Sequence, residues 1–250
     1  MNRVLAPYLG KFCVVYLDDV LIYSKTADEH LEHIRLVLRE LQRHQLHIKL
    51  SKCYSGRSSV NFLGHVMEAG QIRMDPDKVE ALQNWPRPKS VTEVRGFLGL
   101  AGYYRRFINQ FATLATPLTD LTKKAPEFRW TPQAELAFEQ IKGAMVRAPV
   151  LVIPHTSPNA RYTLYTDASG FAVGAVLLQD QGIGLQPVAY HARKMNKHDV
   201  HYHVHEEELL AVRDALLKFR CYLDGAAGFT GITDHDTLRH FFRQCDLSTR

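Results

Sequence analysis

Cysteine is scarce in this chain: four in 250 residues, at positions 13, 53, 221 and 245, with no Cys-x-x-Cys pair. A disulfide framework or a cysteine-ligated zinc needs denser or paired spacing, so the reading is of reduced thiols in an intracellular compartment. Long hydrophobic runs are missing too. The longest, Phe12 to Leu17 and Val20 to Tyr23, are separated by Asp18 and Asp19, and fall far below the ~20 residues that a membrane helix requires. The opening MNRVLAPYLG lacks the charged and then apolar organisation of a signal peptide, and neither end carries an acylation or prenylation motif; neither membrane contact nor secretion is expected. Glycine and proline are in no excess (15 and 11), which excludes fibrous and low-complexity classes. What remains is a globular composition, 46% hydrophobic and 23% charged, enough for one large or two modest domains. The net charge of +5 is uneven: residues 1–150 carry 21 Lys and Arg against 15 Asp and Glu, residues 151–250 carry 10 against 11. The first part is therefore the candidate surface for a polyanion.

Two β-rich runs three residues apart, Phe12 to Tyr16 and Val20 to Tyr23, predict a tight hairpin with acidic residues at its tip. Thr26 and Glu29 have capping-box spacing, and Leu31, Ile34, Leu38 and Leu41 recur at helical intervals, predicting an amphipathic helix over about 27–44. Alternation at Leu46, Ile48 and Leu50 predicts a short strand, and Val60 to Val66 another. From 71 to 148 the expectation is helical throughout. Asp75-Pro76, Ser90 with Glu93, and Thr131-Pro132 mark three helix starts, the second running through Ile108. Prolines at 149, 154 and 158 mark a boundary near 149–160, followed by strand, strand, strand, helix (204–222), strand (229–233) and a last helix over 237–243.

Asp18 and Asp19 stand at the end of an apolar hairpin. Adjacent carboxylates repel and lose hydration there, so a compensating divalent cation, with Mg²⁺ the natural candidate, is one reading; a solvated turn is the other. Between VV and VLIYS, the YLDD segment resembles the palm signature of reverse transcriptases. The similarity to the gypsy-type LTR retrotransposon Pol polyprotein then continues through LHIKLSKC, VNFLGHV, IRMDPDKVEAL, VRGFLGLAGYYRRFI, FRWTPQAELAFEQIK, YTDASGFAVGAVLLQ, VAYHARKMN, HEEELLAV and TDHDTLRHF.

The resemblance implies an α+β and α/β chain: a partial reverse transcriptase palm (1–70), a helical thumb or connection (71–150), and a ribonuclease H-like mixed sheet with helices (151–250), C-terminally truncated. It implies an RNA-directed DNA polymerase with ribonuclease H activity on RNA–DNA hybrids, working by two-metal phosphoryl transfer with Mg²⁺, or Mn²⁺ in its place. Asp18 looks like the metal-binding carboxylate of the catalytic hairpin, and Asp19, in the same catalytic pair, its less directly engaged neighbour. Lys52 looks like a residue near the incoming nucleotide, and Phe62, Leu63 and Gly64 like the turn that grips the primer. In the thumb-like helix Arg95, Arg105 and Arg106 offer cations to template–primer phosphates, whereas Leu98, Ala101, Tyr104 and Ile108 have the spacing of core. Asp167, Glu208 and Asp234 resemble the catalytic, metal-binding carboxylates of ribonuclease H. Glu206 and Glu207 adjoin Glu208, and only the family pattern, a glutamate directly before LLA, chooses among the three; a solvated helix start is the reading for the other two. A zinc site at His201, His203, His205 and His235 is disfavoured, since no paired cysteine or His-x₃₋₅-His spacing supports it; His235 is expected to orient groups beside Asp234.

The sequence departs from the family pattern in two places. The further metal-binding Asp of the palm lies upstream of YLDD in the family, with the fingers, and the fourth ribonuclease H carboxylate lies in a DALS-type segment that Asp246 does not match. The expectation is of a stretch from a longer polyprotein that is deficient in polymerase activity, in cytoplasmic virus-like particles with dNTPs as substrates of the full-length enzyme. The alternatives are a non-catalytic nucleic-acid-binding fragment and a decayed relic.

Overall fold

Four residues around Asp18 set the first element pair. In a computed structural model that describes residues 1–123, 127–155, 157 and 159–234, β1 (Cys13–Tyr16) and β2 (Asp19–Ile22) pair antiparallel through a two-residue turn. Leu17 takes the left-handed backbone that so short a connection needs, at φ 53°. The helix α1 (Ala27–Arg43) starts where its cap signal lies, with Thr26 Oγ1 accepting the Glu29 N–H. Glu29 reaches back one residue further than a capping box requires, to the Lys25 N–H. The inward stripe is Val37 and Leu41, both buried, with Ile34 half-buried beside them, whereas the expected Leu31 and Leu38 are exposed. Val37 and Leu41 close a small core with Leu5 and Cys13.

The strand expected at Leu46 to Leu50 does not form. All three apolar residues there are exposed, and a single helical turn, Leu50–Lys52, ends the segment. Nor is Val60 to Val66 one strand: Leu63 and Gly64 both have positive φ, 50° and 68°, and fold it into a hairpin of β3 (Ser59–Phe62) and β4 (His65–Glu68). These elements make up one compact unit, Met1–Ala69; Gly70–Arg250 forms the second.

The second unit opens on β5 (Gln71–Met74), which pairs with β6 (Leu151–Val152) and corrects the expectation of helix from 71 onwards. Then come α2 (Pro76–Gln83), capped by Asp75, and α3 (Val91–Tyr103), capped by Ser90. The α3 helix stops five residues short of its expected end. Arg105–Phe107 tighten into a 3₁₀ turn, and α4 (Phe111–Asp120) starts anew after it. The break lets Tyr104, Phe107, Ile108 and Phe111 all point inward, where they join Val94, Phe97 and Ala101 and, from α5 (Pro132–Val146), Phe138 and Ile141.

Three long strands follow: β7 (Arg161–Ser169), β8 (Ala172–Asp180) and β9 (Leu185–Lys194). With α6 (Val204–Leu223) and β10 (Gly228–Ile232) they build a sheet of order β10-β7-β8-β9, antiparallel except that β10 runs parallel to β7. Ala215 and Phe219 of α6 pack with Tyr162, Leu164, Ala175 and Leu177, and α4 packs on β9. Among the described residues no helix is long and apolar enough to cross a membrane, and Cys13, Cys53 and Cys221 are free thiols. The expected helix 237–243, together with His235, Cys245 and Asp246, lies outside the described residues.

Candidate active site

The parallel register between β10 and β7 matches Gly228 with Arg161 and Ile232 with Tyr165. Carried two residues past the strand, the same offset sets Asp234 level with Asp167. On the other side of β7, Gly174 stands opposite Asp167 and Val176 opposite Tyr165. Because side chains alternate along a strand, Asp234, Asp167 and Gly174 form one rung of a sheet face, and Ile232, Tyr165 and Val176 the next rung on that face. The third acid comes from α6. Glu208, Ala211, Ala215 and Phe219 follow helical spacing and are all buried, so the stripe that docks the helix carries a carboxylate at its N-terminal end. The small side chains at 211 and 215 let the helix approach the sheet closely.

In this arrangement Asp167, Glu208 and Asp234 each offer a carboxylate oxygen, all within 4.8 Å of one another; among the described residues it is the one group of three or more potential ligands. Asp167 and Asp234 are exposed, whereas Glu208 is 3% exposed. Burial pushes the Glu208 carboxyl above the ordinary carboxylate range. The Thr233 hydroxyl and the Ala168 N–H, which donate to its two oxygens at 3.2 and 3.3 Å, pull it down, and the neighbouring charges of Asp234 and Asp167 push it up again. A cleft of about 320 Å³ adjoins the acids, lined by Asn109, Gln110, Tyr165, Thr166 and the two rungs. Among the described residues none that lines it is basic. Three clustered carboxylates with no basic neighbour in the cleft are a donor set that suits a hard cation, which offsets their repulsion.

Asp18 and Asp19 have a different setting. Both are exposed at the β1–β2 turn, Asp18 in it and Asp19 as the first residue of β2, and among the described residues no third acid completes a ligand group with them. Lys52 is exposed in its helical turn. Phe62 is 8% exposed, so its ring is inside, and the turn presents Leu63 and Gly64. Arg95 donates to the Thr122 carbonyl beyond α4 (3.2 Å), Arg105 is exposed, and Arg106 is half-buried with its Nε in no hydrogen bond. The core expectation holds at Ala101, Tyr104 and Ile108. Burial pushes the Tyr104 hydroxyl up to about 12.

Of the glutamates beside Glu208, Glu206 caps α6 by accepting the His203 N–H at 2.9 Å. Glu207 is 9% exposed, which corrects its expected solvation. The rings of His203 and His205 stack at 5.8 Å, yet no third ligand joins them among the described residues. Two residues at the carboxylates were not expected there. Thr233 was hidden as the ordinary neighbour of Asp234. Gln110 lies 57 positions from Asp167, to which its Nε2 donates at 3.0 Å, and no sequence spacing links them.

Comparison with known proteins bears on both units. Residues 1–67 match the family described as "Reverse transcriptase (RNA-dependent DNA polymerase)", and residues 130–230 the "RNase H-like domain found in reverse transcriptase". The Pol polyprotein of transposon 297 of Drosophila melanogaster is 40% identical over 241 residues, covering 96% of this chain and 22% of the relative. The Pol polyprotein of transposon opus, from the same fly, is 37% identical over 95% of this chain and 25% of its own length. The Tf2-3 transposon polyprotein of Schizosaccharomyces pombe is 37% identical over 95% of this chain and 18% of its own. The chain thus spans about a quarter or less of these relatives. In fold it is similar to the foamy viral protease-reverse transcriptase solved with double-stranded DNA (TM-score 0.82, 22% identity, 99% of this chain and 44% of that one). The foamy viral enzyme solved with an RNA/DNA hybrid gives a TM-score of 0.77 at 22% identity, over 99% of this chain and 34% of that one.

Proposed function

Since the chain belongs to the reverse transcriptase and RNase H-like families of retrotransposon Pol polyproteins, we propose that its β7–β10 sheet and α6 form a ribonuclease H centre. The centre cuts the RNA strand of an RNA–DNA hybrid, and Asp167, Glu208 and Asp234 are its catalytic carboxylates. The observation that carries this reading is the convergence of the three acids within 4.8 Å from two strand ends and one helix. All-oxygen donors favour Mg²⁺, with Mn²⁺ able to replace it. When bound, such ions activate water and stabilise the leaving oxygen of the scissile phosphodiester. The chain's own part is to hold the donors. Asp167 and Asp234 face the cleft from adjacent strands, and Glu208 is fixed by the Ala168 N–H and the Thr233 hydroxyl.

In this reading residues 1–70 are reverse transcriptase palm, 71–150 thumb or connection, and 151–250 the ribonuclease H-like part of a gypsy-type polyprotein. Asp18 and Asp19 belong to the polymerase hairpin, Lys52 and the Phe62–Gly64 turn to the incoming nucleotide and primer, and Arg95, Arg105 and Arg106 to template–primer phosphates. The whole polyprotein then copies RNA into DNA from dNTPs, in cytoplasmic virus-like particles. The foamy viral relatives solved with double-stranded DNA and with an RNA/DNA hybrid support the substrate class.

The test is Mg²⁺- or Mn²⁺-dependent cleavage of an end-labelled RNA–DNA hybrid by the purified chain and by Asp167→Asn. Hybrid-specific cleavage that drops to background in the variant is the expected result. Cleavage by the variant at the wild-type rate overturns the assignment.

A further inference from the structure

Gln110 stands at the junction between the 3₁₀ turn and α4, and three features set it apart. Its backbone is left-handed, φ 51° and ψ 31°, a conformation in which a non-glycine residue persists only where its surroundings enforce it. It occupies the N-cap position of α4, yet its side chain makes no bond to the helix's own amides. That side chain turns instead to the sheet. Its Cγ lies 3.9 Å from where a Cβ on Gly174 would stand, and its amide donates to Asp167 Oδ2 at 3.0 Å. Ile108, two residues before it, and Phe111, directly after it, are both buried, so the segment is anchored on either side of it.

We infer that Gln110 is a positioning residue of the carboxylate site, holding Asp167 in the rotamer that receives a divalent cation. The inference rests on the ribonuclease H reading above. A carboxylate at a strand end, exposed and repelled by Glu208 and Asp234, has rotamers that turn it to solvent. A donor on one oxygen removes that freedom, and each carboxylate oxygen keeps a further lone pair for a metal. The donor is a neutral amide. A lysine or arginine in its place would also orient Asp167, but would cancel the negative charge that attracts the cation. The anchored turn thus sets a ligand of the sheet from another element, as outer-shell donors do in metal sites.

The experiment is a titration of Mn²⁺ into the full chain, with free ion read by electron paramagnetic resonance, for wild type, Gln110→Ala, Gln110→Gly and Asp167→Asn, with a thermal melt of each. Loss of the amide is expected to weaken Mn²⁺ binding about tenfold in both Gln110 variants. Gln110→Gly, which suits the left-handed backbone, is expected to melt no lower than wild type. Hybrid cleavage by the two variants should need correspondingly more metal for half-maximal rate and recover at saturation. If both bind Mn²⁺ like wild type while Asp167→Asn does not, Gln110 is only a spacer and the inference falls. If Asp167→Asn also binds like wild type, the carboxylate site itself falls and the inference falls with it.

Discussion

At the scale of single residues, Glu208 shows function and stability in opposition. A carboxylate that is 3% exposed beside Asp167 and Asp234 is costly to keep charged, and its two donors, Ala168 N–H and Thr233 hydroxyl, offset only part of that cost. Glu208→Gln keeps an acceptor for Ala168, and its amide can donate to the Thr233 oxygen. We expect the variant to melt a few degrees above wild type in EDTA at neutral pH, since roughly 1 kcal/mol moves a chain of this size by about 2–4 °C. It should also lose hybrid cleavage and the rise in melting temperature that Mn²⁺ gives the wild type. A variant that melts lower, or that is still stabilised by Mn²⁺, contradicts the account. The sequence alone could not decide among Glu206, Glu207 and Glu208 without the family pattern. The stripe Glu208, Ala211, Ala215, Phe219 is legible at helical spacing, but which stripe meets the sheet is set by packing.

Elements are tied to one another by a second, partly buried ionic group away from the cleft. His191 and Arg193 on β9 bond Asp214 of α6 at 2.7 and 3.1 Å, and Arg193 also bonds Asp199 at 2.9 Å. Arg193→Met should therefore cost roughly 3 kcal/mol, because it strands Asp199, 5% exposed, without its cation; urea unfolding measures this. Burial pushes His191 below its ordinary value of 6.5, with Lys218 and Arg105 adding to the effect and Asp214 opposing it. Between the lowered value and 6.5 the unfolded chain takes up a proton that the native one refuses, so acidification costs stability. Asp199, and Asp120 beside the ammonium groups of Lys123 and Lys194, are held below 3.8 and lose their contribution only in stronger acid. Melting temperature should therefore fall as the pH drops through and below about 6.5, and His191→Gln should flatten that slope; an unchanged slope assigns it to another group.

For the whole molecule, the expectations concern nucleic acid. If Arg95, Arg105 and Arg106 each meet a phosphate, raising salt from about 50 to about 200 mM should weaken hybrid binding roughly 40-fold, and Arg105→Ala with Arg106→Ala should flatten the log–log slope by about two. A slope that the double variant leaves intact places the contact elsewhere. Primer extension by this chain is expected to stay at background, because Asp18 and Asp19 are joined by no third carboxylate among the described residues. Template-dependent incorporation of dNTPs overturns that.

Local chemistry was readable in the sequence where it is enforced within a few residues. The caps at Thr26, Asp75, Ser90 and Thr131 start their helices where the spacing says, because each side chain bonds a backbone amide two or three positions on. The apolar alternation of the late strands likewise needs only its own period. Where apolar spacing alone was used, at Leu46 to Leu50, it failed, since a strand exists only by virtue of a partner strand and an exposed alternation has none to pair with. At Gln71–Met74 the reverse holds, a strand forming where helix was expected because Leu151–Val152, about 80 positions on, pairs with it. The break after Tyr103 belongs with these cases, as it serves a core drawn from three helices.

The sequence by itself determined the kinds of donor this protein holds and the motifs that mark its kinship. Only the tertiary structure brought Asp167, Glu208 and Asp234 together and turned Gln110 onto the first of them. Strand register and helix docking join residues tens of positions apart, and no local periodicity encodes that distance.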